Sequence, residues 1–188
     1  LGATTLTIAA GHAIDAMRFI VGDFRQVAAV VTTQVPQWLE VDTQRLVDVT
    51  APDNILVSGQ LTSGAVASVH VASIPWAGTG SRLEIYGREG TLVATSDESP
   101  QLGMVQLQGT RASGKLEPLD IPSRYRFVPE DMPKGAPYNV GQLYALFARA
   151  IRSGEVSPSK ATFATAVDLH RLIDAMRASS VQGRQITV

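Results

Sequence analysis

The sequence predicts an α+β domain: a largely antiparallel, open sheet with helices packed on one of its faces. Three observations predict it. The N-terminal segment repeats apolar residues at helical steps. The middle carries successive hairpins with no helix between them, which makes the pairing antiparallel. Two further segments of helical period then lead to a short closing strand.

Taken in order, Thr4–Val21 holds no Pro, and Ile8, Ala9, Ala13, Ala16, Met17 and Ile20 form an apolar stripe. His12, Asp15 and Arg18 recur at three-residue steps on a different face, and Gly22 closes the helix. Gly11 costs about 1 kcal/mol inside a helix, so something is expected to approach too closely for a side chain. Arg25–Val35 is β-branched and reads as a strand ended by Pro36. The polar stretch Val41–Asp53 reads as partly mobile. Asn54–Leu61 and Ala65–Ile74 form a hairpin whose short turn needs Gly64 at positive φ. Its alternation places Ser58, Gln60, Ser68 and His70 off the apolar face, which leaves that side partly polar and available.

A second hairpin turns through Gly87-Arg88-Glu89-Gly90, and Gly103–Thr110 and Lys115–Pro122 read as further strands. A long proline-rich segment follows, carrying Arg124-Tyr125-Arg126. Asn139 with Gln142 suggests a capping box, and Tyr138 against Leu143 a staple. Val140, Leu143, Tyr144, Phe147 and Ile151 are the apolar stripe of that helix, and Gly154 ends it. The last helix is expected from about Ala161 to Ser179, with Phe163, Ala166, Leu169, Ile173 and Met176 toward the core. All 188 residues are expected in one domain.

Composition narrows the functional classes. At 45% apolar and 18% charged residues the chain can bury a core without staples. A net charge of −1 gives no reason to expect a nucleic-acid partner. With no cysteine there are no disulfides or thiolate metal sites, which fits a cytoplasmic protein. No apolar run approaches the ~20 residues of a membrane span, so no membrane partner is expected. The abrupt start on an apolar helix at Leu1 is read as a piece of a longer polypeptide. No Gly-x-Gly-x-x-Gly turn opens a helix, and three histidines with scattered carboxylates give no metal spacing.

His12 is the best single candidate for chemistry, because an imidazole gives or takes a proton near neutrality. Asp15 could orient it or contact a polar ligand. The plainer reading is a helix histidine bonded to a neighbour. Arg124 and Tyr125 could bind a carboxylate or phosphate at the mouth of the long loop, or be a solvated loop with one anchoring ring. His70 and His170, the latter held by Asp174, read as structural, while Trp76 could cover a ligand or equally plug a core edge or an interface.

"GATTLTIAAGHAIDAMRFIVGDF", "DNILVSGQLTSGAVASVHVAS", "RLEIYGREGTLVAT", "NVGQLYALFARAIRSG" and "FATAVDLHRLIDAMRASSVQGRQITV" together resemble the C-terminal domain of the glucose–fructose oxidoreductase/inositol dehydrogenase/MocA family. "TIAAGHAID" is closer to the subgroup resembling the yeast galactose-pathway repressor. The resemblance implies a two-domain protein whose Rossmann domain, outside this chain, binds NAD or NADP. It implies that the present domain contacts a sugar or polyol substrate and forms a homo-oligomer through its open sheet face. His12 would be the catalytic proton group, with Asp15, Arg124 and Tyr125 contacting substrate. The family helix reads Asp-x-x-x-His-x-x-Asp, and its first Asp falls on Ile8. An isoleucine can neither take a proton nor hydrogen-bond a hydroxyl. A non-catalytic, dinucleotide-sensing regulatory module of the same fold is therefore the alternative. No cofactor is expected on this chain alone.

Overall fold

The computed structural model describes residues 2–73, 77–112, 114–154 and 162–188. Trp76, the end of the expected strand at Ile74 and the expected helix start at Ala161 lie outside them. In chain order the elements are α1 (Ala9–Val21), β1 (Phe24–Thr32), β2 (Gln37–Glu40), β3 (Arg45–Asp48), β4 (Asn54–Leu61) and β5 (Val66–Ala72). Next come β6 (Ser81–Tyr86), β7 (Gly90–Ser96), β8 (Gln106–Arg111) and β9 (Glu117–Leu119). A 3-10 turn, η1 (Ser123–Tyr125), precedes α2 (Ala136–Ser153), α3 (Phe163–Gln182) and β10 (Ile186–Thr187). They fall into two compact units, Leu1–Gly78 with Thr162–Val188, and Thr79–Ala161.

In the first unit the sheet order is β10-β1-β4-β5, every pairing antiparallel. One face is covered by helix: Val27, Ile55, Val57 and Leu61 are buried with Ala10, Ile14 and Met17 of α1 and Leu172, Ile173 and Met176 of α3. The other face is open. Ser58 pairs with Ser68 and Leu56 with His70 on it, as the alternation predicted for the polar members. Leu56 and Val66 are exposed there too, so the open face is more apolar than the sequence reading had it. Gly64 has φ +88, the conformation its turn demanded.

The buried stripe of α1 differs from expectation. It runs through Ala10, Gly11, Ile14 and Met17, while Ile8, Ala9 and Ile20 face outward. With apolar residues almost all round, periodicity could not choose the face. Nor does anything crowd Gly11: a Cβ there would sit 3.8 Å from Ile173 Cδ1, an ordinary contact. The close approach is at Gly59 instead. The register shifts between Phe24 and Gln26, the Gln26 carbonyl lies against Gly59, and a Cβ there would collide with that oxygen.

α3 closes the outer edge of β1. The two-residue β10 pairs only with Gln26 and Val27. Beyond it, Ser179 Oγ accepts from Ala29 N at 3.0 Å and donates to Arg184 O at 2.7 Å. Ser180 Oγ accepts from Val31 N at 2.9 Å. Two hydroxyls thus stand in for a missing strand and blunt the edge. Ser179 is buried, so Ser179→Ala is expected to cost about 1–3 kcal/mol in urea unfolding, the penalty for unpaired backbone groups. An unchanged midpoint would show that water replaces the hydroxyl.

The second unit is the antiparallel sheet β6-β7-β8-β9 with η1 and α2. The expected turn closes through Gly87 N to Gly90 O at 2.9 Å. β8 and β9 are shorter than expected: Gly103 lies in a turn before β8, its N–H on Ser99 O at 3.0 Å and its carbonyl accepting from Asn139 Nδ2 at 2.9 Å. α2 starts at Ala136, so Asn139 and Gln142 lie inside the helix and make no capping box. The expected stripe of α2 is exposed at Val140, Leu143, Tyr144, Phe147 and Ile151, and only Tyr138 is buried. In α3 the inward face is Leu172, Ile173, Met176 and Ser179, while Phe163 and Ala166 are exposed.

Candidate functional site

α1 presents the candidate chemistry. Its inner side is fixed by packing on the sheet and α3, so the opposite side shows Ile8, His12, Asp15 and Phe19 at steps of four, three and four, all exposed. The band is polar in the middle and apolar at both ends. Among the described residues His12 and Asp15 make no side-chain hydrogen bond or ion pair, with each other or with anything else. Both are free to meet a ligand. Arg18, the third member of the expected polar face, is used otherwise. Its side chain is only 10% exposed and its Nε lies 2.7 Å from Asp23 Oδ1. That pair ties the end of α1 to the start of β1.

Arg124 and Tyr125 belong to the second unit, in η1. Both are exposed, and the Arg124 guanidinium stands 4.8 Å from the Tyr125 ring centroid. The loop that carries them is anchored. Gln142 Nε2 donates to Tyr125 O at 3.0 Å, and Gln142 Oε1 accepts from Phe127 N at 2.6 Å. Gln142 and Asn139 are positioning residues that the sequence reading took for a helix cap. Two amide side chains three apart after a long loop were the available signal.

His70 Nε2 lies 3.2 Å from Asn54 Oδ1 on the open face. His170 is exposed, and Asp174 pairs with Arg177 at 3.6 Å rather than with it. A second titratable cluster lies on β6. The Tyr86 hydroxyl and Arg82 Nε both donate to Glu84, at 2.7 and 2.6 Å. The bond from Tyr86, then that from Arg82, holds the Glu84 carboxyl below its ordinary range. The bond to Glu84 and its charge in turn push the Tyr86 phenol up. At one end of the open face Gln26, Ser58, Gln60, Ser68 and Gln185 line a shallow groove of about 630 Å³. It holds amides and hydroxyls and no group that titrates. Among the described residues no three His, Asp or Glu side chains come together to hold a metal. No helix among them is long and apolar enough to cross a membrane.

Solved structures of other proteins share this antiparallel α+β fold. Residues 1–96 match the family model of the Gal80p C-terminal domain, and the chain belongs to that Gal80p C-terminal-like family. An uncharacterized oxidoreductase of Synechocystis sp. is 32% identical over 97 residues, covering 51% of this chain and 26% of that protein. Levoglucosan dehydrogenase in complex with NADH and levoglucosan superposes with a TM-score of 0.79 at 22% identity, over 100% of this chain and 50% of that one. The super-repressor mutant of Gal80p from Saccharomyces cerevisiae gives 0.77 at 19% identity, again over 100% and 50%. At these identities the solved structures establish the fold. The chain spans about half the length of these solved relatives, and its match covers about a quarter of the curated one.

Proposed function

We propose that this chain is the substrate-contacting and pairing domain of an NAD(P)-dependent oxidoreductase acting on a sugar, a polyol or a related small molecule. The observation that carries the reading is the His12-x-x-Asp15 pair, uncommitted and exposed on one side of α1. In this reading the His12 imidazole takes the proton of a substrate hydroxyl as it is oxidised, or returns it to a carbonyl in reverse. The Asp15 carboxylate accepts a hydrogen bond from a neighbouring hydroxyl. Arg124 and Tyr125, exposed on η1, would offer further polar groups to the substrate. The sequence carries no Gly-x-Gly-x-x-Gly turn of the kind that cradles a dinucleotide pyrophosphate. NAD or NADP, which would carry the hydride, would be bound mainly by another domain. The open face of the first sheet would join two copies.

One observation favours a second reading, a dinucleotide-sensing regulator without turnover. Ile8 stands exposed one turn before His12, where the family resemblance places an acid. The experiment is steady-state turnover by the intact natural protein, with a panel of sugars and polyols and both cofactors. Turnover with at least one pair is expected. Tight dinucleotide binding with no turnover across the panel would overturn the enzyme and leave the regulator.

A further inference from the structure

The ribbon formed by β2 and β3 has no role in the reading so far. Among the described residues these strands pair with each other and with no third strand, and all eight of their residues are exposed. The register places Trp38 beside Val47 on one face and Leu39 beside Leu46 on the other. Trp38 is 37% exposed, Leu39 54%, Leu46 67% and Val41 at the tip 78%. A two-stranded ribbon is at best marginally stable alone in water, and apolar side chains on both faces are costly there.

Yet this ribbon is firmly built. At the stem, Val49 N donates to Pro36 O at 2.8 Å, and the Asp53 carboxylate accepts from Gln34 N and Val35 N, both at 2.8 Å. Gln37 Nε2 donates to Asp48 Oδ1 across the base at 2.9 Å. At the tip, Gln44 N donates to Glu40 O and the Gln44 amide to Val41 O. The sequence therefore specifies a projecting arm and gives it two apolar faces.

The arm is also continuous with the open face. β1 leads into it and β4 leads out, and these are the two central strands of the sheet, paired up to Thr32 and Asn54 at the arm's root. Size points to what the arm covers. With strands of nine, eight and seven residues, at ~4.8 Å spacing and ~3.3 Å per residue, the open face has a flat footprint of roughly 400 Å². A stable interface takes about 800 Å² from each partner. The arm lies next to that footprint and adds apolar surface toward what a stable pairing takes.

We propose that Gln37–Asp48 is a clasp for a second copy of this chain: each arm closes over the partner's domain at the end of the paired open faces. The proposal rests on the open-face pairing put forward above. The test uses the intact natural protein and sedimentation equilibrium. One variant replaces Gln37–Asp48 by Asn-Gly across the closed Pro36–Val49 stem. A second, Trp38→Ser with Leu39→Ser, keeps the ribbon and removes its apolar anchors. A third, Leu56→Arg, charges the open face and leaves the arm intact. Trp76→Phe in the wild-type and Leu56→Arg backgrounds leaves Trp38 as the one tryptophan of this chain, which has two. The expected result is a wild-type dimer whose dissociation constant rises about a hundredfold in either arm variant, the loss of a few buried anchors. Trp38 emission should also shift to the blue as dimer forms. A dimer unchanged by both arm variants but lost with Leu56→Arg would overturn the clasp and keep the open-face pairing. A wild-type monomer at all concentrations would overturn both. Trp38 equally shielded in monomer and dimer would mean that its own polypeptide covers the arm, and would overturn the clasp.

Discussion

His12→Ala in the intact protein lowers kcat by ~10²–10⁴, the share of a positioned acid–base group, with KM changed much less. The split between the two constants follows from the geometry. Among the described residues the His12 side chain makes no hydrogen bond or ion pair, so its removal disturbs neither α1 nor the sheet beneath it. What is lost is the proton transfer, felt only as the hydroxyl or carbonyl reacts. Asp15 is expected to behave in the opposite way. An Asp15→Asn variant keeps a hydrogen-bonding group of the same shape, so KM rises and kcat stays close to wild type. Added imidazole should partly restore His12→Ala, which a folding defect would not allow. A variant with unchanged kcat would remove His12 from the mechanism and shift the balance toward the regulator.

Asp53→Ala lowers stability by about 2–4 kcal/mol, the cost of leaving buried donors without an acceptor. The side chain is 2% exposed and accepts three hydrogen bonds, from Gln34 N and Val35 N at 2.8 Å and Asn54 Nδ2 at 3.0 Å. Burial by itself would raise its pKa. The bonds from Gln34, Asn54 and Val35 outweigh burial and hold the carboxyl below its ordinary 3.8. The direction fixes the pH dependence. With the folded-state pKa depressed, the stabilisation is complete above the unfolded value of about 3.9 and is lost as pH falls through the folded value. Urea midpoints measured downward from about pH 6 should fall less steeply in Asp53→Asn than in the wild type. Equal slopes would show that other carboxylates set the acid limit. Because Asp53 holds the stem of the arm, the same variant should also loosen the dimer if the clasp exists.

Much of this architecture was legible in the chain. The hairpin turning at Gly64, the turn between Gly87 and Gly90 and the stops at Gly22 and Gly154 are written in residues whose backbone requirements are local. The open face was legible because Ser58, Ser68 and His70 alternate with residues that pack under α1 and α3. What failed was whatever depended on a distant partner. In α1 nearly every position is apolar, so only the sheet and α3 decide that Ile14 goes in and Ile8 stays out. The stretch Val41–Asp53 looked mobile because its order comes from one buried carboxylate and from cross-strand pairing, neither visible as a periodicity. Asn139 and Gln142 carried a capping signature but spend their amides on loops 36 and 15 residues away. At the candidate site, sequence spacing grouped His12, Asp15 and Arg18. Chemistry separates them, since Asp23 claims the arginine and leaves the first two free.

The central claim is that the His12 side of α1 meets a sugar or polyol. The most direct measurement is histidine-selective NMR of the intact, NADH-loaded protein titrated with the best ligand from the turnover panel. The ring signals of this chain's three histidines are each assigned by a single His→Gln variant. The account predicts that the His12 ring signals move in proportion to saturation while those of His70 and His170 stay in place. Movement of His70 or His170 with His12 unmoved at saturation would place the ligand elsewhere and contradict it.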